Sequence, residues 1–198
     1  FFGLLFGLWV FYRNGTDDAL DYYTVYIIEQ TLSLDNLFVM SVIFASFSIP
    51  RQYQHRLLVY GIIGVVILRG ATIAAGAALV QQYDWILLVF AAILFYTGIK
   101  LFFVAGEEER EDYSQKPISK FLAKHLRVTN KIDGHKFFIK TASVNNPSKI
   151  LWHATPLFLA LCVIEMTDLL FAFDSVPAAL AITTDPYIVF TANIFAIL

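Results

Sequence analysis

Long apolar runs broken by short polar clusters organise the chain. Residues 1–12 read as the end of a first helix, followed by a polar turn over 13–18. The next apolar run predicts a second helix over 21–48, stopped at Ile49-Pro50-Arg51 because proline cannot continue a helix. A third helix is expected over 56–80, with Gly61, Gly64, Gly70, Ala71, Ala74, Ala75 and Ala78 allowing close approach of a neighbour. The turn 81–84 leads to a fourth helix over 85–104. The pattern then turns polar, with a short amphipathic helix expected over 116–126. Apolar character resumes in a fifth helix over 151–182, and a sixth begins near Tyr187.

Runs of about 20 apolar residues are long enough to cross a bilayer. The expected fold class is all-α: a polytopic transmembrane helix bundle with six helices or parts of helices. It divides into residues 1–104, a loop 105–150, and 151–198. Composition agrees, with 58% hydrophobic and only 15% charged residues where a soluble domain carries about 25% charged. No broad basic surface suits nucleic acid, so the expected partners are the bilayer and a small cation. The single Cys162 excludes an internal disulfide. Phe1 and Leu198 both lie inside apolar runs, so the chain is expected to be the middle of a longer protein.

The loop 105–150 region carries nine Lys and Arg, and the 49–56 turn carries Arg51 and Arg56; the other connections have only Arg13. Cytoplasmic loops collect such residues, so these two are expected inside the cell. Helices two and five then run in opposite directions, and they carry related phrases. Leu-Ser-Leu-Asp35-Asn36 follows Glu29, and Phe-Ala-Phe-Asp174-Ser175 follows Asp168, each Asp six residues after the first acid. Related motifs on antiparallel helices mark an inverted-topology repeat, an architecture of secondary transporters with a midplane site.

Acids inside membrane runs are costly and mark function by default. Glu29, Asp35, Glu165, Asp168 and Asp174 face two cations, Arg69 and Lys100, a balance of −3 if all ionise. The plain alternative is that Arg69 pairs with one acid while the others are protonated or wet. Lys100 is expected to snorkel to the interface rather than reach the site. Six residues turn a helix by about 600°, so neither Glu29 and Asp35 nor Asp168 and Asp174 share a face. Either the helices are interrupted, as Pro177 would allow beside Asp174, or the acids face different things. The available ligands are oxygens, from the acids, Asn36, Ser175 and backbone carbonyls. These suit hard cations such as Mn²⁺, Mg²⁺ or Ca²⁺, with no organic cofactor. Cys162 reads as packing before it reads as a soft ligand, and the acidic run 107–112 as a solvated surface.

The phrase from Glu29 to Val39, with Glu165 through Ala178, resembles the TerC family. Val59-Tyr60-Gly61, Ile67-Leu68-Arg69, Tyr83 to Leu87, Thr97 to Lys100 and Thr183 to Pro186 extend the likeness over nearly the whole chain. The resemblance implies manganese export across the bacterial inner membrane, tied in some members to tellurite resistance or alkaline pH. It implies a metal site of Glu29, Asp35, Asn36, Asp168, Asp174 and Ser175, with Glu165 close by and Arg69 and Lys100 balancing charge. Proton exchange is a candidate coupling, because a metal displaces protons from clustered carboxylates. The rivals are an assembly or metalation factor acting through the long loop, and an intramembrane aspartyl protease using Asp35 and Asp174.

Overall fold

Backbone groups surrounded by lipid have to bond within their own segment, so apolar runs of this length become helices. In the computed structural model they are α1 (Phe2–Asn14), α2 (Thr16–Ser46), α3 (Arg51–Gln82), α4 (Ile86–Val104), α6 (Pro156–Leu180) and α7 (Pro186–Ile197). A shorter helix, α5 (Pro117–His125), lies in the polar region. The structure describes all residues except 84, 105–111, 127, 130–133, 135, 144–145 and 198, and the backbone alone at 34–35, 101–102, 104, 124–125, 141–143 and 146–150. The acidic run therefore lies outside the described residues apart from Asp112. That residue is exposed, and the Ser114 hydroxyl and backbone N–H hold its carboxyl below the usual range.

Among the described residues, α2, α3 and α6 are long and apolar enough to cross a membrane. Their 31, 32 and 25 residues give lengths of about 46, 48 and 37 Å, against a hydrocarbon layer of about 30 Å. Leu88, Phe95 and Phe103 on α4 are exposed apolar side chains, as a lipid-facing surface requires.

Three expected helix starts are each five residues off: α2 begins at Thr16 rather than 21, α3 at Arg51 rather than 56, and the third start has a clear reason. The fifth helix starts at Pro156, not near residue 151, and the residues before it form a strand. β1 (Phe138–Ser143) pairs antiparallel with β2 (Asn146–Ala154), placing Phe138 opposite Ala154 and Lys140 opposite Trp152. Ile150, Leu151 and Trp152 favour a strand once a partner is beside them, and Pro156 suits the first turn of a helix. Apolar character alone did not separate the strand from the helix that follows it.

The chain divides into two compact units. The first comprises residues 1–37, 65–108 and 168–198, and the second 38–64 and 109–167. In the first, Val25, Ile73, Ala77, Val176, Leu180, Val189 and Ala192 belong to one apolar core. In the second, Ile43, Leu57, Leu157, Ala160 and Val163 form a core covered by Ile118 and Leu122 of α5. Arg56 there lies between the rings of Tyr60 and Phe137, 5.5 and 5.3 Å from their centroids.

Small residues set two contacts in the first unit. A Cβ at Gly3 would lie 2.5 Å from the Tyr26 ring, and one at Gly7 would collide with the Tyr23 ring. The hydroxyls of Tyr22 and Tyr23 donate to the carbonyls of Gly3 and Leu4 at 3.0 and 2.9 Å, tying α1 to α2. On α3 the expectation was only partly right. Gly61 is buried against Ile164, and Gly64 and Gly70 are half-buried against Glu165 and Phe190, while Ala71, Ala74, Ala75 and Ala78 are exposed.

Gly7→Leu is expected to destabilise the protein by about 1–3 kcal/mol, the usual cost of overpacking. A lower melting temperature in detergent, relative to Leu8→Ala on the exposed side of α1, checks it.

Candidate functional site

Arg69 is the largest side chain that is almost wholly buried, 1% exposed near the middle of α3. A guanidinium cannot shed its charge, so it has to be met by anions with hydrogen-bonding geometry. Two acids meet it. Nη1 donates to Glu29 Oε2 at 2.9 Å, and Nη2 and Nε donate to Asp168 Oδ1 and Oδ2 at 2.9 and 3.2 Å. Glu29 is 1% exposed and Asp168 5%. Asn36 Nδ2 points at Asp168 Oδ1 from 3.5 Å, at the limit of a hydrogen bond. All four residues lie in the first unit.

Glu29 and Asp168 are the corresponding acids of the two related phrases, each six residues before its Asp. The structure brings this equivalent pair onto one cation, using helices that are adjacent to it for local reasons. A Cβ at Gly76 would come within 3.4 Å of Val176 and 2.9 Å of Leu180, so α3 and α6 lie close there. Two acids and one guanidinium meet in a site closed to water. Lysine would supply the charge but not the fork that reaches three acceptor oxygens.

The other expected site residues are dispersed. Both α2 and α6 are continuous through their acids, and Pro177 sits inside α6 without ending it. Proline lacks an N–H, so the Phe173 carbonyl gains no bond from it, but no break opens beside Asp174. Asp174 lies six residues from Asp168, about 9 Å along the axis and on another face. It is half-buried, and Lys100 on α4 is exposed. Ser175 shares the Asp168 face but lies about 10 Å further along; it is buried, with no partner for Oγ among the described residues. The side chain of Asp35 lies outside the described residues. Glu165 belongs to the second unit, where its carboxylate occupies the space a Cβ on Gly64 would need. Cys162 is a free, half-buried thiol of that unit.

Among the described residues, no three His, Cys, Asp or Glu side chains are gathered as a metal would require. The pair at Arg69 contributes two acids, and the guanidinium already occupies them. One residue that the acidic motifs do not flag is Asn193 on α7. It is fully buried, and neither its oxygen nor its nitrogen has a hydrogen-bond partner among the described residues. The signal available in sequence was its isolation: it is the one amide in an apolar run from Tyr187 to Leu198.

Comparison with known proteins places this architecture. Residues 14–198 match the family described as "Integral membrane protein TerC family". An "Uncharacterized membrane protein RC1219" of Rickettsia conorii is 48% identical over 194 residues, covering 98% of this chain and 62% of that protein. The "Putative membrane-bound redox modulator Alx" of Escherichia coli strain K12 is 43% identical over 180 residues, covering 91% of this chain and 53% of its own length. The chain therefore spans between half and two thirds of the curated relatives it matches. No solved structure matches it. With a family match across nearly all its length and several apolar spanning helices, the chain belongs to the TerC family of multi-pass integral membrane proteins.

Proposed function

We propose that this protein exports a hard divalent cation, Mn²⁺ first among them, from the cytoplasm across the bacterial inner membrane. The observation that carries the reading is the joining of Glu29 and Asp168, equivalent acids from α2 and α6, on the buried guanidinium of Arg69. Oxygen donors fit a hard cation. The preference for manganese and the outward direction follow the expectation attached to the TerC resemblance. The seven-residue ligand set drawn from sequence reduces in this reading to Glu29 and Asp168, with Asn36 at their side. Asp35, Glu165, Asp174 and Ser175 would serve other steps of the path.

Arg69 acts here as a resident cation. A divalent ion neutralises the two carboxylates by itself, so the guanidinium has to release at least one of them when the ion arrives. The released charge needs another anion, and the acids elsewhere on α2 and α6 supply candidates. Loss of the ion returns Arg69 to both acids. Protons are the second way of neutralising the site, which makes exchange of metal for protons the natural coupling. Loop 105–150 would lie on the cytoplasmic side.

Two predictions follow from Arg69 as the resident charge. Arg69→Met leaves two buried carboxylates without their cation and is expected to cost about 3–5 kcal/mol of stability. Adding Glu29→Gln and Asp168→Asn to the same chain should recover most of that loss, measured by unfolding in detergent. In a manganese-sensitive bacterium, the full-length wild type is expected to lower intracellular manganese, while Glu29→Gln and Asp168→Asn at matched expression do not. Equal lowering by all three would remove these acids from the transport path. If none lowers it and deletion of loop 105–150 abolishes another phenotype of the protein, the assembly-factor reading gains instead.

A further inference from the structure

We infer that Asn193 is a further cation-binding residue, its amide oxygen serving the same site as Glu29 and Asp168. The inference rests on the proposed cation-transport reading and deepens it. A fully buried amide has the capacity for two donated and two accepted bonds, and Asn193 makes none with the described residues. Burying such a group without a partner costs several kcal/mol in an apolar medium, by the order of magnitude of transfer experiments. An amide on an apolar packing face therefore calls for a polar occupant beside it. Ile188, Val189, Ala192 and Ala196 are the other buried residues of α7, so Asn193 lies on the face that packs inward.

Helix α3 serves as a ruler for its depth. Gln81 Nε2 donates to the Thr184 carbonyl at 3.4 Å, and a Cβ at Gly70 would lie 3.0 Å from the Phe190 ring. Contacts that move down α3 while moving up α7 show that the two helices run antiparallel. Asn193 lies three residues past Phe190, about 4.5 Å along α7, which brings it level with the turn of α3 just before Arg69. Helical side chains lean toward the N-terminus of their own helix. The Phe190 ring that meets Gly70 leans in the same way, so the Asn193 side chain stays about 4.5 Å beyond the Gly70 level, and it is Arg69 that leans along α3 toward it.

Ser175 has an unpartnered Oγ as well, but it is level with Gly76, two turns beyond Arg69, and belongs to a different depth. Asn193 is thus a second amide near the level of the ion pair, beside Asn36, and unlike Asn36 it has no partner among the described residues. Hard divalent cations take amide oxygens beside carboxylates, directly or through a bound water. A neutral donor adds coordination without adding charge, in a site where Glu29 and Asp168 already match a divalent ion.

The test titrates MnCl₂ into the purified full-length protein in detergent and follows binding by calorimetry and by Mn²⁺ resonance. Wild type, Asn193→Leu and Asn193→Asp are compared, with metal-free melting temperature reporting the fold. The expected result is binding weakened about 10–100-fold in Asn193→Leu, the range seen when supporting groups of metal sites are lost. Asn193→Asp, which keeps the oxygen, should bind at least as tightly as wild type. Unchanged affinity in a folded Asn193→Leu protein would overturn the role of Asn193 while leaving the transport reading intact. If Asn193→Leu fails to fold, Asn193→Asp decides alone, and a tenfold weakening there overturns the inference. A wild type that binds no Mn²⁺ overturns both readings together.

Discussion

A guanidinium buried in a membrane protein cannot be neutral and cannot be left unpaired, and the first unit is built around satisfying that demand. Arg69 holds α2 through Glu29 and α6 through Asp168, with three donated bonds no longer than 3.2 Å. The packing beyond the charge follows from the same helix. Gly70, next to Arg69, accepts the Phe190 ring of α7, and Gly76, two turns further on, accepts Val176 and Leu180 of α6. The ion pair sets which helices meet at that depth, and small residues let them come close enough to do so. A surface pair of the same composition would contribute little; burial is what makes its partners obligatory.

Helix continuity distributes the remaining polar groups by depth. Because α6 runs unbroken from Pro156 to Leu180, Asp168, Asp174 and Ser175 cannot converge on one ion in this conformation. Asp174 and Ser175 lie about 9 and 10 Å along the axis from Asp168. Asp168 is held by Arg69.

Much of the architecture was legible in the sequence, because membrane-length apolar runs admit few alternatives. The helices from 1 to 104 fall within five residues of their expected limits, and the short α5 emerges where amphipathic spacing placed it. The β1–β2 hairpin was not legible, since Ile150, Leu151 and Trp152 are equally apolar as strand or as helix, and their strand state depends on a partner ten or so residues away. The acids were legible as a set, but their partners were not. Helical spacing showed that Glu29 and Asp35 could not share a face, yet only packing shows that Glu29 and Asp168 share Arg69. Arg69 itself was read as a counter-ion for one acid and serves two. Asn193 carried no motif, and its significance lies in burial without a partner, which periodicity does not report.

The most direct test of the central claim is Mn²⁺ flux in proteoliposomes holding the full-length protein, with a proton gradient imposed across the vesicle. Wild type is compared with the double variant Glu29→Gln and Asp168→Asn, which leaves every other acid in place. The account expects gradient-dependent Mn²⁺ movement by wild type and none above empty vesicles by the double variant. Flux of equal size from both proteins would contradict it, since the acids held by Arg69 would then lie outside the path of the ion.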